Sequence, residues 1–326
     1  MMKKYTLLVF FIFCNLFSLL TYGQSSFPNK PIHMIIPFPP GGSTDVLGRL
    51  LGASMSNNLN QSVIVENTGG AGGTIGANKV AKSQADGYTL LFHNMAHASA
   101  PALYNKLTYN PIQDFEPIGI VTEVPMILVA RKNFPSNNLN ELLAYAKTNG
   151  DKLNFANAGV GATSQLCEAL LKSATNNKWT SVPYKGTGPA LNDLLGGQVD
   201  LICDQPASTI AHIKAGNLKP IAVATKNRLK ILPQVPTFSE SGLPNFELTV
   251  WHGLYAPKGT PKEVIDRLAI GLRETLKDPN IIDRYQEMSA SIASPSQATP
   301  EALQAFLKAD VDRWKAALKS AGIQPE

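Results

Sequence analysis

A chain that runs Ile35-Ile-Pro-Phe-Pro-Pro-Gly-Gly-Ser-Thr-Asp-Val-Leu-Gly-Arg-Leu-Leu-Gly52 has few ways to fold. The apolar run from Ile32 to Ile36 reads as a buried strand. Pro37, Pro39 and Pro40 end it, because proline brings no N–H to a sheet ladder. Gly41 and Gly42 then permit a turn in which a Cβ would clash. Ser43 or Thr44 is placed to cap a helix, and Asp45 suits its first turn. Val46, Leu47, Leu50, Leu51 and Met55 recur on one helical face. The order is strand, tight glycine loop, helix start. Such a loop holds unpaired N–H groups at the positive end of a helix dipole, a geometry that attracts anions. A single unit of this kind is also an ordinary βα connection, so the rest of the chain decides between the two.

The design returns. Ser62 to Glu66 reads as a strand and runs into Asn67-Thr-Gly-Gly-Ala-Gly-Gly-Thr-Ile-Gly-Ala77, a glycine-dense loop opening a helix through Ala81. Thr89 to Phe92 is a third strand, followed by His93-Asn-Met-Ala-His97 and a helix from Ala98 to Tyr104; Phe115 to Val121 is a fourth. This βαβαβ order argues for a doubly wound sheet, in which ligands bind beyond the carboxyl ends of the strands. A second series begins at Met126. Asn138 and Glu141 make a capping pair for a helix through Lys147. Asn154 to Ala156 leads into Asn157-Ala-Gly-Val-Gly-Ala-Thr-Ser164 and a helix from Ser164 to Ser173, which repeats the opening unit. Ser181 to Tyr184 is a strand, and Lys185-Gly-Thr-Gly-Pro189 opens a helix through Leu195. Gln198 to Cys203 is a buried strand ending at Asp204, followed by a helix from Ala207 to Ala215 and a strand from Pro220 to Ala224. Residues 230 to 244 read as surface loops around a short helix. Phe246 to Ala256 is a long strand able to cross between domains, and helices span Pro261 to Leu276 and Pro300 to Ser320. The expected fold class is α/β, with two lobes, each a doubly wound, mostly parallel sheet. Two anion-ready helix starts, one per lobe, can then face each other across a cleft and hold a small carboxylate by main-chain N–H groups.

The ends narrow the setting. Met1-Met-Lys-Lys4, an uncharged apolar run from Leu7 to Leu20, and Thr21-Tyr-Gly23 form a secretory signal pattern, with cleavage expected after Gly23. The run is short for a membrane span, and Cys14 lacks the small neighbours of a lipoprotein box. Of the formal net charge of +5, Lys3 and Lys4 contribute two. No later stretch gathers Lys and Arg into a stripe, which argues against a nucleic-acid surface. Cys167 and Cys203 remain after cleavage; an oxidising compartment permits a bridge, but both read as buried small hydrophobes.

The blocks Pro37-Phe-Pro-Pro-Gly-Gly-Ser-Thr-Asp45, Val65-Glu-Asn-Thr-Gly-Gly-Ala-Gly-Gly-Thr-Ile-Gly-Ala77, Asp86-Gly-Tyr-Thr-Leu-Leu91 and Val182-Pro-Tyr-Lys-Gly186 occur in one order with Asp193-Leu-Leu-Gly-Gly-Gln-Val-Asp200. Ala215-Gly216, Val235-Pro-Thr237, Ser241-Gly-Leu-Pro244 and Gly253-Leu-Tyr-Ala-Pro257 continue the series. Across nearly the whole mature chain this resembles the Bug, or TctC-like, solute receptors of tripartite tricarboxylate transporters. The resemblance implies a periplasmic, hinge-closing binding protein of type II that passes a small organic acid to a large and a small permease subunit. One lobe would combine residues 24–124 with 248–326, the other would span 125–247. By matching positions, Phe38, Pro40, Gly41, Gly42, Ser43, Thr44 and Asp45 belong to the first carboxylate loop, and Gly159, Gly161, Ala162, Thr163 and Ser164 to the second. His97 would line the cleft from the first lobe and Asp204 from the second. Many members carry His where this chain has Gln165, a neutral donor and acceptor that cannot supply a positive charge.

The competing readings are specific. Asp45 suits a helix cap better than contact with an anion, since like charges repel. Asp204 serves equally as a cap or as a cleft residue. Phe38, inside the loop, reads as a cleft wall. His93 and His97 have metal-compatible spacing but no third ligand, so no metal is expected. Gly159-Val-Gly161 is an incomplete dinucleotide loop, and no cofactor is expected. Cys167 and His212 are not paired by anything in the sequence, so no nucleophile and base are assembled and no catalysis is expected. The mature chain is expected to be a soluble monomer. A sensor presenting its ligand to a signalling partner, and a secreted enzyme acting on a small acid, are the alternatives.

Overall fold

The computed structural model describes residues 27–325. The signal pattern and its cleavage point lie outside them. Eleven strands form two sheets among these residues. The first sheet holds β1 (Ile32–Ile36), β2 (Val63–Asn67), β3 (Thr89–Asn94), β4 (Phe115–Pro125), β10 (Thr249–Pro257) and β11 (Ser291–Ile292), in the order β11-β4-β10-β3-β1-β2. The second holds β5 (Ile127–Arg131), β6 (Asn154–Asn157), β7 (Thr180–Pro183), β8 (Leu201–Asp204) and β9 (Leu218–Val223), in the order β7-β6-β8-β5-β9.

Both sheets are mixed. The strands that feed helices run parallel: β1 with β2 and β3, and β6 with β7 and β8. The strands that carry the chain between sheets run antiparallel to them: β10 with β3 and β4, and β5 with β8 and β9. The chain changes sheet at Pro125–Met126 and again just before Thr249. The two crossings lie side by side, because the Met126 N–H donates to the Leu248 carbonyl at 3.0 Å, the Leu248 N–H to Ala224 at 2.9 Å and the Ala224 N–H back to Met126 at 2.9 Å. Two adjacent extended segments form a natural hinge.

The first unit shows why the helices lie close to their sheets. Helix α1 (Ser43–Leu59) buries Leu47, Leu51, Met55 and Leu59. On the same side it carries Gly48 and Gly52. A Cβ at Gly52 would lie 3.0 Å from the Met34 methyl and 3.2 Å from Val65, and one at Gly48 would reach Ile36 and Phe92. Two glycines one turn apart therefore flatten the helix against β1, β2 and β3. Helices α2 (Thr74–Ala81) and α3 (Ala96–Leu103) follow β2 and β3. In the second lobe, α4 (Leu139–Asn149) starts at Asn138, whose side chain accepts the Glu141 N–H at 3.0 Å as the capping pair requires. Helices α5 (Thr163–Thr175), α6 (Thr187–Leu195) and α7 (Pro206–Lys214) follow β6, β7 and β8. Helices α8 (Lys262–Thr275), α9 (Pro279–Gln286) and α10 (Pro300–Ser320) return to the first lobe. Asp310 fixes α10 by accepting the indole N–H of Trp251 at 2.8 Å and of Trp314 at 3.1 Å.

Three expectations are corrected. Residues 230–244 contain turns and no helix; buried Leu232, Val235 and Phe238 pin them, and Thr237 bridges to Val223. Helix α9 was not expected although Asp278 caps it and Pro279 opens it, and the two-residue β11 was not expected either. Cys167 and Cys203 form a disulfide, with Cα atoms 6.1 Å apart. Helix α5 lies on β8, which brings two residues 36 apart in sequence into bridging range. Among the described residues no helix is long and apolar enough to cross a membrane.

Candidate functional site

Away from the hinge, a set of segments that meet the opposite lobe follow the carboxyl ends of parallel strands. From the first lobe come Pro39 to Ser43 after β1, Gly72 after β2, and Tyr104 after β3 and α3. From the second come Val160 and Gly161 after β6, Gly186 to Gly188 after β7, and Gln205 with Ser208 after β8. Ser43 Oγ donates to Ser208 Oγ at 2.8 Å, and Ser208 Oγ donates onward to Asp204 Oδ2 at 2.5 Å. Tyr104 donates its hydroxyl hydrogen to the Val160 carbonyl at 2.6 Å. The lobes are therefore in contact, with two lines of hydrogen bonds between them.

The first loop is held rigid by its own acid. Gly41 has φ of +84°, and its N–H donates to Asp45 Oδ2 at 3.0 Å. Asn67 Nδ2 and the Arg49 guanidinium complete the Asp45 carboxylate at 2.8 and 2.9 Å. Asp45 thus pins the loop, neutralised by Arg49, in line with the helix-start reading. The Gly41 N–H is spent on that bond. Gly42 occupies the N-cap position and no side chain caps α1, so the capping expected of Ser43 or Thr44 does not occur. Ser43 instead reaches the other lobe. Thr44 Oγ1 turns inward, where Asn94 Nδ2 donates to it at 3.1 Å and His252 Nε2 lies at 3.3 Å. What remains for an anion is the first turn of α1, whose N–H groups have no partner inside the helix. Pro40 and Gly41 stand at the exposed rim, while the Phe38 ring packs edge-on to His93 with centroids 5.5 Å apart.

The second loop has the same logic with different residues. Gly159 and Gly161 have φ of +96° and +78°. Asn157 Oδ1 accepts the Gly159 N–H at 2.9 Å, and Ser164 Oγ accepts the Ala158 N–H at 2.7 Å. Ala162 is the N-cap and Thr163 begins the helix, both buried. Ser164 is thus a loop pin, and the start of α5 is left open. Behind it, Glu168 accepts from Asn157, Trp179 and Ser181 while burial pushes its carboxyl upward.

Asp204 is 1% exposed, and burial pushes its carboxyl up to about 7 despite the Ser208 hydroxyl and Gln205 backbone bonds that favour the anion. Two further buried atoms at helix starts of this lobe, Gln165 Oε1 and Gln205 Oε1, have no hydrogen-bond partner. His97 is placed differently from expectation. Its ring lies inside the first lobe among Tyr109, Phe115, Tyr255 and His93, with centroids 4.9 to 5.6 Å away, and burial drives it down to about 3. A neutral imidazole packed by four rings is a core residue. His93 is likewise held neutral, by burial and by His97 and His252 nearby. Among the described residues no group of three His, Cys, Asp or Glu is placed to hold a metal.

The two loops meet different partners across the lobes. The first docks on Gly186 to Gly188 and on Ser208, and the second on Gly72 and Tyr104. Gly186 to Gly188, Ser208 and Tyr104 were missed as site residues. The signal for the first of them was present, since Lys185-Gly-Thr-Gly-Pro189 repeats the strand, glycine and helix-start design a third time.

Two α/β lobes joined by paired hinge strands, meeting through loops at helix starts, define a clamshell binding protein of the periplasmic type. The chain belongs to TctC, the tripartite tricarboxylate transporter family receptor, whose model matches residues 47–323. It is 45% identical over 299 residues to the UPF0065 protein in the TAR-I ttuE-ttuC' intergenic region of Agrobacterium vitis, covering 92% of this chain and 86% of that one. The structure of periplasmic binding protein BugD is similar with a TM-score of 0.90 and 46% identity, covering 92% of this chain and all of that one. MatC from Rhodopseudomonas palustris with bound malate is similar with a TM-score of 0.86 and 37% identity, covering 90% of this chain and all of that one.

Proposed function

We propose that this chain is an exported receptor that encloses one small carboxylate between its lobes and presents it to a tripartite tricarboxylate-type permease. The lobes are residues 24–124 with 248–326, and residues 125–247. The observation that carries this reading is the meeting of helix-start loops from both lobes around Asp204, with the first turns of α1 and α5 left free of side-chain caps. Main-chain N–H groups at those starts grip a carboxylate, and the dipoles of both helices favour its charge. The malate in the related MatC supports the class of ligand. The second lobe sets the choice of ligand. Asp204, Gln165 and Gln205 offer acceptors, so an acid carrying a hydroxyl or ammonium group gains partners that a plain one lacks.

A thermal-shift screen of the chain from Gln24 tests this. The panel holds aliphatic di- and tricarboxylates, their hydroxy and amino derivatives, and aromatic acids. We expect one class to raise the melting temperature saturably, because a ligand that binds only the native state stabilises it. No stabilisation by any acid would remove the receptor reading.

A further inference from the structure

Resting on the two-lobe reading above, we propose that Gly188 and Gly42 are closure residues, kept bare by the approach of the opposite lobe. Most glycines here have a cause within their own lobe. Gly41, Gly159 and Gly161 have positive φ, which disfavours a side chain whether the lobes are together or apart. Gly48 is hemmed in by Ile36 and Phe92 of its own sheet. Gly188 and Gly42 differ. Gly188 lies in the first turn of α6, and Gly42 has φ −79° and ψ 163°, conformations open to alanine. A Cβ on Gly188 would overlap the Pro40 carbonyl oxygen, and its next neighbours would be Pro40 C at 3.5 Å and Gly42 N at 3.7 Å. All three atoms belong to the other lobe. A Cβ on Gly42 would lie 2.6 Å from Thr187 Oγ1, again across the cleft, while its nearest atom at home, the Pro39 carbonyl oxygen, would be at an ordinary 3.8 Å.

The steric demand on these two positions therefore exists only when the lobes meet. At Gly188 backbone rests on backbone, and the Pro40 carbonyl cannot rotate out of the way without rebuilding the loop that Asp45 pins; at Gly42 the obstacle is the Thr187 hydroxyl. An alanine leaves each lobe intact and raises the free energy of the closed arrangement alone. Affinity then falls in proportion to the lost closed population.

The test needs no ligand. Ser43→Cys with Ser208→Cys places two thiols where hydroxyls now stand 2.8 Å apart, and the rate of disulfide formation under a mild oxidant reports closure. The native bridge is fully buried and does not interfere. We expect Gly188→Ala and Gly42→Ala each to slow cross-linking by about ten-fold or more. Adding Thr187→Ala restores the rate in the Gly42→Ala chain and leaves the Gly188→Ala chain slow, since its obstacle is backbone. Gly196→Ala, at the far end of α6 with neighbours no nearer than 3.4 Å, keeps the parent rate. Equal rates in all chains, or rescue of neither variant with both melting far below the parent, would overturn the proposal. If the order of rates holds while no acid stabilises the parent chain, the receptor reading falls and the closure assignment stands.

Discussion

Asp204 shows how one position can govern stability in a pH-dependent way. Burial raises its carboxyl from an ordinary 3.8 to about 7. The unfolded chain gives up that proton near 3.8. Between about pH 4 and 7 the native chain therefore holds a proton that the unfolded chain lacks, and stability falls as pH rises through that window. The gap between the two values caps the effect near about 4 kcal/mol. Asp204→Asn keeps an acceptor for Ser208 and removes the charge. We expect it to stabilise the ligand-free protein by about 1–4 kcal/mol at pH 8 and to change little at pH 4, measured by urea unfolding. An unaltered pH slope in the variant would assign the titration to another group. The neighbouring hydroxyls make a related point. Ser43, Thr44 and Ser164 lie one or two residues inside their helices, because Gly42 and Ala162 hold the N-cap positions where a hydroxyl cap would act; Ser43 bonds to Ser208, Thr44 to Asn94, and Ser164 to the Ala158 N–H of its own loop.

At the scale of elements, the disulfide ties the start of α5 to the end of β8. Cys167 lies one turn inside the helix that follows the second loop, and Cys203 directly precedes Asp204. Closing a loop of this length stabilises by about 3–4 kcal/mol on the chain-entropy account. We expect Cys167→Ala with Cys203→Ala to lower stability by about 2–4 kcal/mol in chemical denaturation. A loss under about 0.5 kcal/mol would show that packing of α5 on β8 already fixes the pair. The glycine loops belong to this scale too. Each follows a parallel strand, so the topology gathers them at one edge of their sheet. Their positive-φ glycines shape the turn, and a side chain from within the same loop holds it: Asp45 in the first, Asn157 and Ser164 in the second.

For the whole molecule, the two lobes differ in how the chain builds them. The second is one continuous stretch with its own sheet and disulfide. The first is made from both ends of the chain, and β10 pairs with both β3 and β4 at its centre. We expect residues 125–247 expressed alone to fold cooperatively, with a single thermal transition and dispersed amide resonances. The N-terminal stretch without residues 248–326 should not, because β3 and β4 lose the strand between them. A 125–247 fragment that stays unfolded would mean the lobes are one cooperative unit.

Apolar runs and glycine loops in the sequence determined the strands, the helices of the βα units and the identity of the first and second loops. Those features depend on local chemistry: β-branched runs, proline breaks, positive φ. Asn138 with Glu141 was legible for the same reason, since a cap is made within four residues. The tertiary structure decided everything that depends on distant partners. It chose mixed sheets over mostly parallel ones, because the hinge strands must return through each sheet. It joined Cys167 to Cys203, moved His97 from the cleft into an aromatic core, and set Gly188 against Pro40 across the lobes. A single sequence records which residues can turn, cap or bury. Which of them meet across a hundred residues is set by how sheets twist and helices cross, and that is fixed only once the chain has packed.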